Sequence, residues 1–179
     1  MQFLEGSSLV RPRIHRNLRG TLSATTLCMR TEAELNRIAS EIIGAGIAVH
    51  TRVGPGCFES AYFPCLAYEL RRRGLTFQTK VPVAIQYETI DIPRAYEVDF
   101  LVEGSVVVEL KATSANTPVD ARQLLTYLRF TGCPLGLLLN FGALKLTDGI
   151  RRIVNNFPEG TPMGCAVPLG RDSPVTPAE

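Results

Sequence analysis

The chain has 179 residues, of which 45% are hydrophobic and 20% are charged, and its formal net charge is +2 at pH 7. This length and apolar content are enough for one well-buried core, so a single domain is the simplest organisation. So small a charge does not indicate nucleic-acid binding by itself, and no apolar run approaches the roughly 20 residues of a membrane-spanning helix. We therefore expect a soluble protein without a membrane partner.

The two ends of the sequence differ in composition from its centre. Residues 1–30 contain one acid, Glu5, and five arginines without clear periodicity: Arg11, Arg13, Arg16, Arg19 and Arg30. We expect a disordered basic arm there, or a mis-annotated extension that begins at an upstream start codon. Residues 156–179 are rich in proline and predict a loose tail. The folded domain is therefore expected over residues 31–155.

The cysteines are scattered along the chain and contain no Cys-x-x-Cys pair. There are five of them: Cys28, Cys57, Cys65, Cys133 and Cys165. This odd number and irregular spacing argue against a zinc ribbon, an iron–sulfur cluster or a disulfide framework. The first thirty residues also lack the apolar segment of a secretory signal. A cytoplasmic location is expected.

Two helices are predicted in the first half of the chain. Thr31 to Glu34 fit a capping box, and apolar residues at helical spacing continue to about His50. A second helix is predicted from about Phe58 to Arg73, after the turn Gly54 to Gly56. Pro64 lies inside this helix, where proline removes a hydrogen bond, so a kink is expected.

Strands follow the two helices. The first strand is predicted from Phe77 to Ile85, with a turn near Asp91-Ile92-Pro93 and then an apolar hairpin from Tyr96 to Lys111. A third helix is predicted from a capping Thr117 to about Phe130, because proline and an acid occupy its first turn.

The last predicted element is a buried strand from Cys133 to Phe141, which shows no polar alternation. Helices thus come first, antiparallel strands follow, and a helix crosses over to a final strand. This order predicts an α/β sandwich with a mixed central sheet.

The hairpin from Tyr96 to Lys111 carries charged residues among apolar ones. Burying charges is costly unless they are paired or hold a cation. Glu109 and Lys111 share a face because side chains alternate along a strand. Asp99 joins them only across a loop with an odd number of residues, such as Glu103 to Ser105 or the same loop one residue earlier.

A shared face would bring the two carboxylates together. Directly opposed positions lie about 5 Å apart at Cβ, close enough for both acids to share a divalent metal. A two-residue turn would instead send Asp99 to the other face. The alternative is a partly exposed hairpin whose charges lie on the solvent side.

Four motifs in this order resemble the PD-(D/E)XK nuclease superfamily. The run Gly56 to Tyr62 matches the Gly-x-x-Glu-x-x-Tyr signature of the GxxExxY proteins, and Asp99 with Glu109 to Lys111 looks like the core of the superfamily. Gln123 to Tyr127 resembles the Gln-x-x-x-Tyr motif of its RecB-like branch. The resemblance covers roughly Thr31 to Ile153 and implies a restriction-endonuclease-like α/β sandwich, with a mixed central β-sheet flanked by helices.

The resemblance also implies a function and a set of site residues. It implies a metal-dependent nuclease that hydrolyses phosphodiester bonds, with DNA as the expected polymer and Mg²⁺ or Mn²⁺ as cofactor. Asp99 and Glu109 would be metal ligands, with the Leu110 carbonyl as a third oxygen. Glu59 would act on the metal or on a metal-bound water. Lys111 would orient the nucleophile or stabilise charge on the scissile phosphate.

Supporting roles are expected for residues on two helices. Tyr62 lies three residues after Glu59 on the same helical face and is expected to steady it. Gln123 and Tyr127 are four residues apart, so they point together and are suited to binding a phosphate or the surroundings of Lys111. The structural alternatives are a capping acid for Glu59, core-edge packing for Tyr127 and a plain salt bridge for Lys111.

Two other functions stay open at this point. One is a non-catalytic nucleic-acid-binding module on the same fold, since fold does not fix function. The other is a small-molecule metal hydrolase. A basic groove beside Asp99 and Glu109 would favour the nuclease, whereas a deep apolar pocket would favour the hydrolase. The sequence makes no prediction of oligomeric state.

Overall fold

The computed structural model describes residues 30–155, and the predicted arm before Arg30 and the predicted tail lie outside this range. Its helices and strands follow one another in this order: α1 (Glu32–Val53), α2 (Glu59–Arg72), β1 (Phe77–Tyr87), β2 (Ile90–Val102), β3 (Val106–Lys111), α3 (Pro118–Thr131), β4 (Leu135–Asn140), α4 (Leu146–Gly149) and β5 (Ile150–Val154).

Local sequence signals define how α1 and α3 begin. In α1 the Thr31 hydroxyl accepts a hydrogen bond from the Glu34 amide, and the Glu34 carboxylate accepts one from the Thr31 amide. Thr117 and Asp120 form the same capping box at α3, which ends at Gly132 in the left-handed conformation. These starts were predicted correctly because a capping box satisfies helix-end donors within a few residues. α2 contains Pro64 in its interior, as predicted.

The described residues form a five-stranded sheet in the order β1-β2-β3-β4-β5. Neighbouring strands are antiparallel except β3 and β4, which are parallel and are joined by α3. The sheet is therefore mixed, as predicted.

Helices cover both faces of this sheet. On one face α1 and α2 pack on alternate residues of β3 such as Val106 and Val108. On the other face α3 packs on Val107 of β3 and Leu138 of β4. The fold is thus the predicted restriction-endonuclease-like α/β sandwich.

Two features of the sheet differ from the prediction. The β1–β2 hairpin turns at Glu88 and Thr89, whereas the turn predicted near Asp91-Ile92-Pro93 lies inside β2. Pro93 is tolerated there because it follows Ile92 in a stretch where the pairing with β1 shifts, so it interrupts no regular ladder. The strand β4 is also not the last one, because α4 and β5 follow it.

The three-residue loop from Glu103 to Ser105 was predicted correctly. Val102 pairs with Val106 across it, and Glu103 and Gly104 have φ of 52° and 60°. The Glu103 carboxylate accepts hydrogen bonds from the Thr76 amide at 2.8 Å and from Arg30 at 2.8 Å. The loop that sets the register of the charged hairpin is therefore fixed to the beginning of the described chain.

The remaining sequence expectations concern membranes and cysteines. None of the helices within residues 30–155 is both long and apolar enough to cross a lipid bilayer. Cys57 and Cys65 have free thiols.

Candidate active site

The strand β2 changes faces at Asp99. Val98 packs in the cluster on the α3 side, whereas Phe100 packs in the cluster on the α1 and α2 side. Two residues that are two apart in a regular strand would share a face. The alternation is therefore broken at Asp99, which leaves this carboxylate free to point along the sheet instead of away from it.

The neighbouring strand β1 breaks its alternation at the same level. Phe77 packs toward α1 and α2, while Val81 packs on the α3 side. Lys80, just before Val81, has a φ of 52°. The pairing of the two strands is regular on both sides of Lys80 and Asp99, where Thr79 is opposite Phe100 and Val81 is opposite Val98.

The Asp99 carboxylate is buried and lies between β1 and β3. Asp99 as a whole is 5% exposed. Oδ2 accepts a hydrogen bond from the Leu110 amide at 2.9 Å, and Oδ1 accepts one from Lys80 Nζ at 2.7 Å. The β2–β3 ladder ends with Phe100 opposite Val108, so a side-chain oxygen takes the place of the next backbone acceptor.

Glu109 follows Val108 and provides the second buried carboxylate. It is 7% exposed, and its Oε1 accepts a hydrogen bond from Lys111 Nζ at 2.8 Å. Its Oε2 is buried and accepts no hydrogen bond from any residue that the structure describes. Burial and the charge of Asp99 together raise the pKa of Glu109 to about 7, although the hydrogen bond from Lys111 and its charge lower it.

An unsatisfied buried carboxylate oxygen requires an explanation, because such atoms normally have a partner. Oε2 of Glu109 lies beside a second acid, Asp99, whose charge makes ionisation harder. Oxygen donors of this kind are the ligands that Mg²⁺ and Mn²⁺ prefer. The two acids therefore fit a divalent cation.

The first turn of α2 brings a third carboxylate to the same place. Glu59 is the first residue of α2 and is partly buried. Burial raises its pKa, and so does Asp99, while Lys111 and Lys80 lower it. Within residues 30–155, however, no three His, Cys, Asp or Glu side chains are grouped so as to hold a metal. Glu59 is near the two acids without completing a three-carboxylate cage.

Tyr62 does not steady Glu59 by contact, and the expectation that it would is corrected. Its hydroxyl donates to the Gly54 carbonyl at 2.7 Å and accepts from the Cys57 amide at 3.1 Å. Its buried ring stacks on Phe141 with centroids 4.5 Å apart. Tyr62 thus fixes the loop that leads into α2. The expectation was wrong because a spacing of three residues determines a shared helical face but not a hydrogen-bond partner.

The helix α3 brings Gln123 and Tyr127 to the acids from the other side of the sheet. Gln123 Nε2 donates to the Tyr127 hydroxyl at 2.7 Å. Burial and the charges of Glu109 and Asp99 together raise the pKa of Tyr127 to about 12, although the hydrogen bond from Gln123 lowers it. The phenol therefore stays protonated and can donate a hydrogen bond near the carboxylates.

Sequence reasoning missed Lys80. Burial alone would lower its pKa, but the hydrogen bond and charge of Asp99 raise it above the ordinary lysine value. The lysine meets Asp99 only because β1 and β2 pair in this register. A single lysine in a strand gives no local signal of such a contact.

A cavity of about 540 Å³ lies between α1 and α2, away from these residues. It is lined by Val49, Arg52, Val53, Pro64, Cys65, Tyr68, Glu69 and Arg72. None of the proposed site residues lines it.

A comparison with models of known protein families gave a match. A sequence profile described as the PD-(D/E)XK nuclease superfamily matches residues 36–153, which include Glu59, Asp99, Glu109, Lys111 and Tyr127. Searches of curated proteins and of solved structures gave no significant match.

Proposed function

The chain belongs to the PD-(D/E)XK nuclease superfamily, and from this premise we propose that it is a Mg²⁺- or Mn²⁺-dependent nuclease that hydrolyses phosphodiester bonds in DNA. Within the superfamily we assign it to the GxxExxY proteins, on the run Gly56 to Tyr62. Its Gln123 and Tyr127 are at the spacing of the Gln-x-x-x-Tyr motif of the RecB-like branch, and we propose that it belongs to that branch. A cytoplasmic location is part of the same proposal.

The observation that carries this proposal is the buried, unpartnered Oε2 of Glu109 beside Asp99. These two carboxylates, with the Leu110 carbonyl, would hold the cation, and Glu59 would act on it directly or through water. When bound, a divalent cation lowers the pKa of a coordinated water and neutralises charge on a phosphate.

Lys111 is proposed to orient the attacking water or to stabilise charge on the scissile phosphate. Its ammonium group already lies 2.8 Å from Glu109 Oε1, and its side chain is 20% exposed. It also contributes to lowering the pKa of Asp120, so the first turn of α3 is close. Gln123 and Tyr127 on α3 would then donate hydrogen bonds to substrate phosphates.

Two features favour a polymeric substrate over the small-molecule hydrolase. The acids are at the point where β1 and β2 change faces, and they do not line the 540 Å³ cavity. Lys80, paired with Asp99, has a side chain that is 51% exposed. A half-exposed ammonium group beside buried acids suits a phosphate chain better than an enclosed small molecule.

Cleavage of labelled single- and double-stranded DNA with Mg²⁺ tests the proposal. We expect cleavage by the wild type, loss of cleavage with a chelator, and a loss of about 100-fold or more in Lys111→Ala. Lys145→Ala is the matched control, because Lys145 is exposed at the start of α4 and belongs to no part of the site. It should cleave like the wild type.

Two results would contradict the proposal. Cleavage that persists in both chelator and Lys111→Ala would exclude the assigned mechanism. Binding of DNA without cleavage, in Mg²⁺ and in Mn²⁺ alike, would identify the non-catalytic module instead.

A further inference from the structure

Lys80 has an unusual backbone conformation for its place in the fold. Among residues 30–155, the non-glycine residues with positive φ are Lys80, Glu88 and Glu103. Glu88 lies in the hairpin turn and Glu103 in the β2–β3 loop, where left-handed residues are common. Lys80 lies inside β1. Such backbone strain persists only where the surroundings enforce it, and it is concentrated at functional sites.

The surroundings of the Lys80 side chain hold it at the site. Its ammonium group donates to Asp99 Oδ1 at 2.7 Å and lies 5.0 Å from the centroid of the Phe63 ring. Phe63 belongs to α2 and stacks on Phe100, the residue after Asp99, with centroids 4.4 Å apart. The Lys80 head is thus fixed between a carboxylate and an aromatic face, while about half of the side chain stays exposed.

Each of the two lysines of the site is paired with one carboxylate. Lys111 bonds Glu109 Oε1, and Lys80 bonds Asp99 Oδ1, while Asp99 Oδ2 is used by the Leu110 amide. The Leu110 donor is fixed in the backbone, whereas the Lys80 donor is at the end of a long side chain, so Oδ1 is the oxygen of Asp99 whose donor a cation can displace. The Lys80 ammonium group occupies it.

We propose that Lys80 is a positioning residue with two successive partners: Asp99 in the cation-free site, and a phosphate oxygen of the substrate once a divalent cation is bound. This inference rests on the proposed nuclease function. A cation and Lys80 compete for Asp99 Oδ1, because two positive charges bound to the same oxygen would repel each other. The long, half-exposed lysine stem allows the ammonium group to leave, and the anion expected beside it is the phosphate chain.

Competition predicts how removal of Lys80 changes cation binding. In Lys80→Met we expect Mg²⁺ to bind about three- to tenfold more tightly in the absence of DNA, because a competing charge is lost. The Mg²⁺-induced rise in Tm should exceed that of the wild type by about 2–4 °C. Calorimetric titration and thermal unfolding with and without Mg²⁺ measure these effects, with Lys145→Met as control.

The second partner predicts a separate kinetic effect. At saturating Mg²⁺, Lys80→Met should raise KM for DNA several-fold and leave kcat within about twofold, because a contact to the substrate backbone is lost. Lys111→Ala should instead lower kcat. A merely structural lysine would not produce tighter cation binding together with a higher KM.

Two further variants separate charge from backbone strain. Lys80→Gly removes the ammonium group and accepts the positive φ without strain, so it should bind Mg²⁺ as tightly as Lys80→Met. Lys80→Arg keeps the charge and should behave like the wild type.

The outcomes distinguish this inference from the proposed function. DNA cleavage by the wild type, with the same Mg²⁺-induced rise in Tm in the wild type, Lys80→Met and Lys80→Gly, would overturn the inference alone. A wild type that neither cleaves DNA nor gains stability from Mg²⁺ would overturn both.

Discussion

Glu109 is a carboxylate whose ionisation the folded chain opposes. Burial and the charge of Asp99 raise its pKa to about 7 from the ordinary 4.5. Between these two values the folded protein binds a proton that the unfolded chain has already released. Stability from this group is therefore complete below pH 4.5 and is lost as the pH rises through 7.

The pH dependence of stability can be tested with one substitution. With a chelator present, the free energy of unfolding of the wild type should fall by about 2–3 kcal/mol between pH 4.5 and pH 8. Glu109→Gln should remove most of that fall, because its amide does not ionise. Urea denaturation at a series of pH values measures the difference.

Glu88→Gln is the matched control for this experiment, since Glu88 is exposed in the distal turn. It should keep the wild-type pH dependence. The pKa of Glu59 is also raised, so Glu59 adds its own fall in the free energy of unfolding as the pH rises. This smaller fall should remain in Glu109→Gln. If the free energy of unfolding of the wild type did not change between pH 4.5 and pH 8, ionisation of Glu109 would not destabilise the folded protein.

Sequence reasoning at the residue scale predicted the three-residue loop and the closeness of two acids, Asp99 and Glu109. It did not predict that the alternation of β2 breaks at Asp99, because Val98 and Phe100 pack on opposite sides of the sheet. It failed for Lys80, because its contact depends on the register of β1 and on a positive φ that no local pattern encodes. For Tyr62 it gave the correct face but the wrong partner.

The start of α2 determines where Glu59 lies, because Glu59 is the first residue of this helix. Its N-cap residue, Phe58, provides no side-chain cap. The Tyr62 hydroxyl instead bonds Gly54 and Cys57 in the preceding loop. The position of Glu59 therefore depends on a tyrosine in its own helix that reaches back to the loop.

Tyr62→Phe should weaken this part of the chain. The loss of both hydrogen bonds leaves the Gly54 carbonyl and the Cys57 amide without the hydroxyl, which should lower the free energy of unfolding by about 1–3 kcal/mol. Cleavage should also decrease, because Glu59 would be less firmly placed. Urea denaturation and DNA cleavage measure the two effects.

Tyr68→Phe serves as the control, because Tyr68 is 64% exposed on the same helix. Stability and cleavage should match the wild type in this variant. If Tyr62→Phe also matched the wild type in cleavage, the loop would not position Glu59.

Elements with strong local signals were predicted, and those held by distant pairing were not. The capping boxes at Thr31 and Thr117 each act within four residues. The strand β5 contains the pair Arg151 and Arg152 and exists because it pairs with β4. The Glu88-Thr89 turn contains neither glycine nor proline, so it gave no turn signal.

In the whole molecule, the two halves of the site depend on helices from opposite sides of one sheet. α2 brings Glu59 from one side and α3 brings Gln123 and Tyr127 from the other. The distance of α3 from the sheet is limited by Gly136 of β4. A Cβ at Gly136 would lie 2.9 Å from Leu124 Cγ.

Gly136→Ala should therefore affect the site from a distance. The added methyl group would push Leu124 and α3 outward, which should lower the free energy of unfolding by about 1–3 kcal/mol. Cleavage should decrease as Gln123 and Tyr127 move with the helix. Urea denaturation and DNA cleavage are the measurements.

Gly44→Ala in α1 is the matched substitution on the other side of the sheet. There the new Cβ would meet only the flexible end of Arg73, and alanine favours a helix, so stability should stay equal or increase. Unchanged cleavage in Gly136→Ala would indicate that α3 does not position the catalytic groups.

The overall architecture was predictable because its main determinants are periodic. Buried β4, the charged hairpin and the order of helices and strands indicated a mixed sheet covered by helices. The depth at which α3 lies on β4 was not predictable, because it depends on the packing of Leu124 against a glycine of the following strand.

The outer part of the β1–β2 hairpin is exposed over residues 86–94, beyond the pairing shift between Val83 and Ile85. That irregularity separates the ribbon tip from Lys80 and Asp99. The Glu88-Thr89 turn is therefore a permissive place to attach a fluorophore or an immobilisation tag. A dye there would allow the proposed binding of DNA to be tested on single molecules of the protein.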